Sequence, residues 1–188
     1  MCDNPKLWFF ACMLFAAIST VSAAQKPVVC NQQYAICTSA QCIPDPRHSG
    51  FALCSCDVKE GNSAGYSACA KRKPAVNKDK TTRIISTFSF AQFDSKKGMA
   101  CGKGFDWTNC VDSPCTVDPM NPAKATCSCP VLHGQAFVTF GGDCNIQSCS
   151  TGFWSGATID SSTQLREVMQ KSMGATTNPY PTAACPTH

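Results

Sequence analysis

Sixteen cysteines stand among 188 residues, and two chemistries compete for sulfur at that density: oxidative pairing into disulfides and ligation of a metal by thiolates. Spacing separates them. Structural zinc sites favour cysteine pairs two to four residues apart, and iron–sulfur and haem motifs have short signatures of their own. The chain has no Cys-x-x-Cys, and the nearest approach to a ligand set is Cys110 and Cys115 with Cys127 and Cys129. No metal and no other cofactor is therefore expected. Instead the framework repeats. Cys37, Cys42, Cys54 and Cys56 recur 73 positions later as Cys110, Cys115, Cys127 and Cys129. Asp45-Pro46 falls on Asp118-Pro119, Ala52 on Ala125, Ser55 on Ser128, Val58 on Val131 and Gly61 on Gly134. Ten identities over 25 ungapped positions mark a duplicated module. Outer cysteines flank each copy, Cys30 and Cys69 in the first, Cys101 and Cys144 in the second; Cys149 and Cys185 follow.

Hydrolytic chemistry has few bases to draw on. The histidines are His48, His133 and His188, and none lies at a position that the two copies share. Asp45 and Asp118 are shared, but a proline follows each, which favours a turn over paired acid–base work. No Gly-x-Ser-x-Gly, His-Glu-x-x-His or phosphate loop occurs. An enzyme would need Asp106, Asp112 or Asp143 to gather with His133 in a cleft. Charge offers a different opening. Lys71, Arg72, Lys73, Lys78, Lys80 and Arg83 form a basic, turn-rich stretch opposed only by Asp79, suited to an anionic surface such as a polysaccharide, lipopolysaccharide or phospholipid head groups. Nucleic acid is not expected, because the charge is local and no aromatic residues interleave with it. Trp107, Trp154 and Phe105 read as fillers of a scarce core.

The compartment follows from the first residues. Lys6, an apolar run from Leu7 to Ile18 and the small residues Val21-Ser22-Ala23-Ala24 have the form of a secretory signal peptide over 1–24. The run is too short for a transmembrane span. Its removal takes Cys2 and Cys12 and leaves fourteen of the sixteen cysteines, an even number suited to disulfides in a periplasm or outside the cell.

These side chains need elements to position them. The expected organisation is a signal peptide over 1–24, cysteine-rich module 1 over 25–69 and a basic linker and strand over 70–100. Cysteine-rich module 2 over 101–149 and a C-terminal helix with a Pro-rich tail over 150–188 complete it. Modules of about forty residues bury too little surface to hold themselves together without cross-links. The Cys-Ser-Cys triplets read as strands, whose alternate residues share a face and send their two sulfurs to different partners. Six cysteines per module leave fifteen pairings open. Ile84 to Phe93 and Ala136 to Phe140 read as apolar strands that pull both modules into one body. Ser161 with Gln164 has the form of a capping box, followed by Leu165, Val168, Met169 and Met173 at helical spacing and a stop at Gly174.

The first module resembles the growth-factor-type (EGF-like) family in its intervals, in Gly50-Phe51-Ala52-Leu53-Cys54-Ser55-Cys56, and distantly in Gly65-Tyr66-Ser67-Ala68-Cys69. The second copy departs from that pattern, with Ala123-Lys124-Ala125-Thr126 before Cys127. The expectation is a small disulfide-rich protein, mainly β and loops, with two homologous six-cysteine modules packed together and one C-terminal amphipathic helix. It is expected to be a monomer that binds an exported protein or an anionic cell-surface component. The competing expectation is a small secreted hydrolase, or a hydrolase inhibitor presenting the loop Pro44 to Ser49 or its copy Val117 to Pro122.

Overall fold

The computed structural model describes residues 25–37, 40–93, 98–140 and 153–174. The expected signal peptide over 1–24, Asp143, Cys144, Cys149, Cys185, His188 and the expected tail fall outside them. Alternation of cysteine with small polar residues builds the centre. In the first copy β1 (Val28–Ile36) and β2 (Gln41–Pro44) both run antiparallel to the long strand β3 (Phe51–Gly65). In the second copy β7 (Trp107–Asn109) and β8 (Pro114–Val117) lie in the same way along β9 (Lys124–Leu132). Register repeats as well: Cys42 opposes Cys54, and Cys115 opposes Cys127.

The pairing of sulfurs is the same in both copies. Cys37 bridges Cys56 and Cys42 bridges Cys54; Cys110 bridges Cys129 and Cys115 bridges Cys127. Cys30–Cys69 adds an outer bridge to the first copy, and Cys101 is also disulfide-bonded. The bridges are nested, with separations of 39, 19 and 12 residues in the first copy. Loops of this length stabilise by roughly 2–4 kcal/mol per bridge on a chain-entropy reading.

The copies meet strand to strand. β3 pairs antiparallel with β9 from Phe51 opposite Pro130 to Asp57 opposite Lys124, with Cys54 facing Cys127 at the middle. Those two are each other's repeat equivalents. Ala52 opposite Cys129 becomes Cys56 opposite Ala125 when the copies exchange roles. A local twofold relation therefore passes between Cys54 and Cys127. Sulfur contacts obey it: Cys37 Sγ lies 3.2 Å from Cys127 Sγ, and Cys110 Sγ lies 3.5 Å from Cys54 Sγ. Four bridges thus form one buried cluster, joined by Ala35, Ile84 and Val117.

Other strands extend this centre. β11 (Phe153–Thr158) joins β2 antiparallel and β7 parallel, so the pairings β2–β3–β9–β7–β11 close into a ring. β4 (Ala75–Val76) and β5 (Thr82–Ile85) add a hairpin against β8. β6 (Gly98–Cys101) and β10 (Phe137–Phe140) pair with each other, and β10 with β11. Trp107, fully buried, stacks on Phe137 with centroids 5.0 Å apart, and Phe105 packs beside them. Among the described residues no helix is long and apolar enough to cross a membrane.

Two expectations shift. The strand from Ile84 to Phe93 ends at Ile85. Beyond it the backbone crosses between elements: the N–H of Ser86 bonds to Ser113, that of Thr87 to Ala35 and that of Phe88 to Ala64. A 3-10 turn follows over Phe90–Phe93. Phe88 and Phe90 still meet, edge to face, with centroids 6.1 Å apart. The C-terminal helix, α2 (Ile159–Met173), starts before Ser161. Its cap is Thr158, whose Oγ1 accepts the N–H of Ser161 at 3.1 Å. Leu165 and Met169 are buried against Ala64, Phe88 and Phe140, whereas Met173 is 51% exposed. Gly174 closes the helix at φ 61°, its N–H bonded to the Gln170 carbonyl, a left-handed cap that glycine adopts without strain.

Candidate ligand-binding face

Because the central cysteines point inward, the residues alternating with them point out. From β3 these are Phe51, Leu53, Ser55 and Asp57; from β9 they are Lys124, Thr126, Ser128 and Pro130. Ile43 opposes Leu53, Thr116 opposes Thr126, and Arg83 opposes Thr116, so all share this outer face. An open groove crosses it between Arg47 and Arg83, lined by Leu53, Thr116, Thr126 and Ser128. Its back is the buried bridge cluster, which holds the floor rigid.

The turn after β2 presents Arg47. Asp45 Oδ1 accepts the N–H of Arg47 at 2.9 Å, and Oδ2 lies 3.0 Å from Nδ1 of His48. Asp118 makes the matching turn, accepting the N–H of Met120 at 2.8 Å. This is the side-chain-closed turn that Asp-Pro favours. The Arg47 N–H first, then His48, holds the Asp45 carboxyl below its ordinary range. Asp45 is thus committed to the turn, and its Oδ1 stands 3.7 Å from Nε of Arg47, whose side chain is 75% exposed. Arg83 makes no ion pair among the described residues.

Of the basic stretch, Lys71, Lys73, Lys78 and Lys80 are exposed and Arg83 half-buried. Arg72 is a correction, being fully buried. It sits in α1 (Cys69–Arg72), one turn after the residue bridged to Cys30, and donates through Nη2 to the Val28 carbonyl at 2.8 Å and to Cys30 Sγ. Burial lowers its pKa, with Asp112 opposing that shift. Asp112 belongs to the second copy and accepts the N–H groups of Tyr66 and Ser67 at 2.7 and 2.9 Å. A methyl group at Gly65 would stand 2.5 Å from Asp112 Oδ1, so a larger residue there would have to displace the Asp112 carboxylate.

Sequence reasoning placed the basic contact in one stretch and missed Arg47. The signal was available: Arg47 follows the Asp-Pro of the turn, in the loop Pro44 to Ser49 that an inhibitor would present. The acid–base candidates are brought together only in part. Asp106 Oδ1 lies 2.7 Å from Nδ1 of His133, but the two side chains are 50% and 68% exposed, whereas the N–H groups of Tyr66 and Ser67 occupy Asp112. Such an open pair gains nothing from water exclusion. For metal ligation, the sulfurs of Cys37, Cys115 and Cys127 converge, as do those of Cys37, Cys110 and Cys129. Each is already bonded to another sulfur, and a metal site needs thiolates.

The chain matches no protein-family model, no curated protein and no solved structure, so the growth-factor-type resemblance of the first module rests on its residues alone.

Proposed function

We propose that the protein is an exported, disulfide-stapled binding protein that engages an anionic cell-surface component through the Arg47–Arg83 groove. The observation that carries this reading is the groove itself: two arginines from separate parts of the chain converge over hydroxyl groups on a rigid, open sheet face. Arginine presents a planar fork of donors suited to phosphate, sulfate or carboxylate, and Thr116, Thr126 and Ser128 add neutral hydroxyls that can donate to the same oxygens. The β4–β5 hairpin, with Lys78 and Lys80 in its turn, borders β8 and raises the local positive potential. The bridges suit the oxidising space in which such a ligand would be met.

Retention on sulfated dextran beads tests the reading. The double variant Arg47→Gln/Arg83→Gln should elute at clearly lower salt than the parent while melting at nearly the same temperature. Neutralising Lys71, Lys73, Lys78 and Lys80 should give a smaller, additive loss. Retention indifferent to both sets would remove the proposal.

A further inference from the structure

Beside the two arginines the same face carries apolar side chains, Ile43 and Phe51 exposed and Leu53 and Pro130 half-buried among the described residues. Ile43 is 65% exposed and Phe51 41% exposed. Ile43 stands directly opposite Leu53, and Phe51 directly opposite Pro130. Phe51 and Leu53 are two residues apart on β3 and share its outer side. These four residues therefore form one contiguous ledge on three adjacent strands, and Leu53 is both a member of the ledge and a wall of the arginine groove. A contiguous exposed apolar patch marks an interaction site more often than chance exposure does. A purely saccharide polyanion would leave this ledge in water, whereas an amphipathic anion would use both halves.

We infer that the ligand is the surface of a bilayer containing anionic phospholipid, with Arg47 and Arg83 on the phosphates and Ile43, Phe51 and Leu53 dipping among the first acyl carbons. This inference rests on the anionic-ligand reading above and specifies its source. Two weak signals combine in it, as stable peripheral attachment requires: electrostatic attraction to an anionic leaflet and burial of a small apolar surface. Arginine suits the boundary, since its stem lies against apolar surface while its head stays at the phosphates. Adjacent strands bring both signals to one face of the sheet, and the bridge cluster lies behind them.

The test is co-sedimentation of the mature protein with vesicles of phosphatidylcholine alone or mixed with phosphatidylglycerol, run beside the sulfated dextran column. The parent should pellet with the phosphatidylglycerol vesicles only. Ile43→Thr/Phe51→Thr should lose about tenfold in vesicle affinity, because the burial of two large apolar side chains is forfeited, and keep its dextran retention. Both positions are exposed strand sites that threonine suits, so the melting temperature should hold and a folding defect would be visible separately. Vesicle binding unchanged in that variant but lost in Arg47→Gln/Arg83→Gln would overturn the lipid assignment and leave the anion reading standing. Dextran retention with no vesicle binding would do the same. Binding to both matrices that ignores the arginines would overturn both.

Discussion

Asp45 shows how one side chain links a turn to a surface. Its carboxylate is closed off by the Arg47 N–H and by His48, and its pKa lies below the ordinary 3.8. A native state that binds its proton less readily than the unfolded chain gains stability with rising pH. The contribution of Asp45 is therefore complete above pH 3.8 and is lost as the pH falls through the lowered value. A carboxyl-carbon NMR titration should place the Asp45 midpoint below 3.8, and a midpoint at or above it would contradict the turn geometry. Arg72 makes the complementary case. Composition assigned it to a basic surface, yet residues three apart on a helical turn share a side, and Cys69 is tied inward to Cys30. That signal becomes readable only once the pairing of Cys69 is known. Arg72→Ala should lower the melting temperature, by about 1–3 kcal/mol of stability, and leave dextran retention as it was; the neighbouring Lys71→Ala should do the reverse, slightly.

At the level of elements, local pattern spoke where a single neighbour decides the outcome. The Cys-Ser-Cys strands, the Asp-Pro turns and the Leu165–Met169 face of the helix each follow from alternation, turn chemistry or helical period. Pattern failed where several neighbours share one segment. Ile84 to Phe93 has the composition of a strand, but its N–H groups are divided among Ser113, Ala35 and Ala64, three partners far apart in sequence. The helix start failed for a nearer reason: Thr158 ends β11 and begins α2 at once, and its hydroxyl reaches the N–H of Ser161 before Ser161 can act as a cap itself. Thr158→Ala should cost about 1 kcal/mol, the usual value of an N-cap, and Ser161→Ala much less. Chemical denaturation of the two variants would separate them, and equal losses would relocate the cap.

On the scale of the whole molecule, the repeat made the mainly β, disulfide-rich class legible, while the meeting of the two copies was not. Nothing in a single module says that β3 and β9 will lie side by side, because that contact is long-range and rests on backbone groups common to every residue. The candidate face was hidden for the same reason. Arg47 and Arg83 lie in different segments, and only the ladder from β2 through β3, β9 and β8 to β5 puts them across one groove. Sulfur pairing carries the remaining expectation. The outer cysteines of the first copy bridge each other, so the duplication assigns Cys144 as the partner of Cys101. Non-reducing peptide mapping should recover that bridge and show no alkylatable thiol from residue 25 onward. Cys101 joined instead to Cys149 or Cys185 would confine the duplication to its inner four cysteines.

The ladder centred on Cys54 and Cys127 has one more consequence. Cut from its twin, either copy would bare the margin of its longest strand, a row of amide and carbonyl groups shaped to receive another like itself. Such margins invite runaway association. Carrying both halves on one polypeptide means that each finds its mate at the high local concentration of a tether, so the encounter that would otherwise depend on crowding happens once, privately, within every molecule.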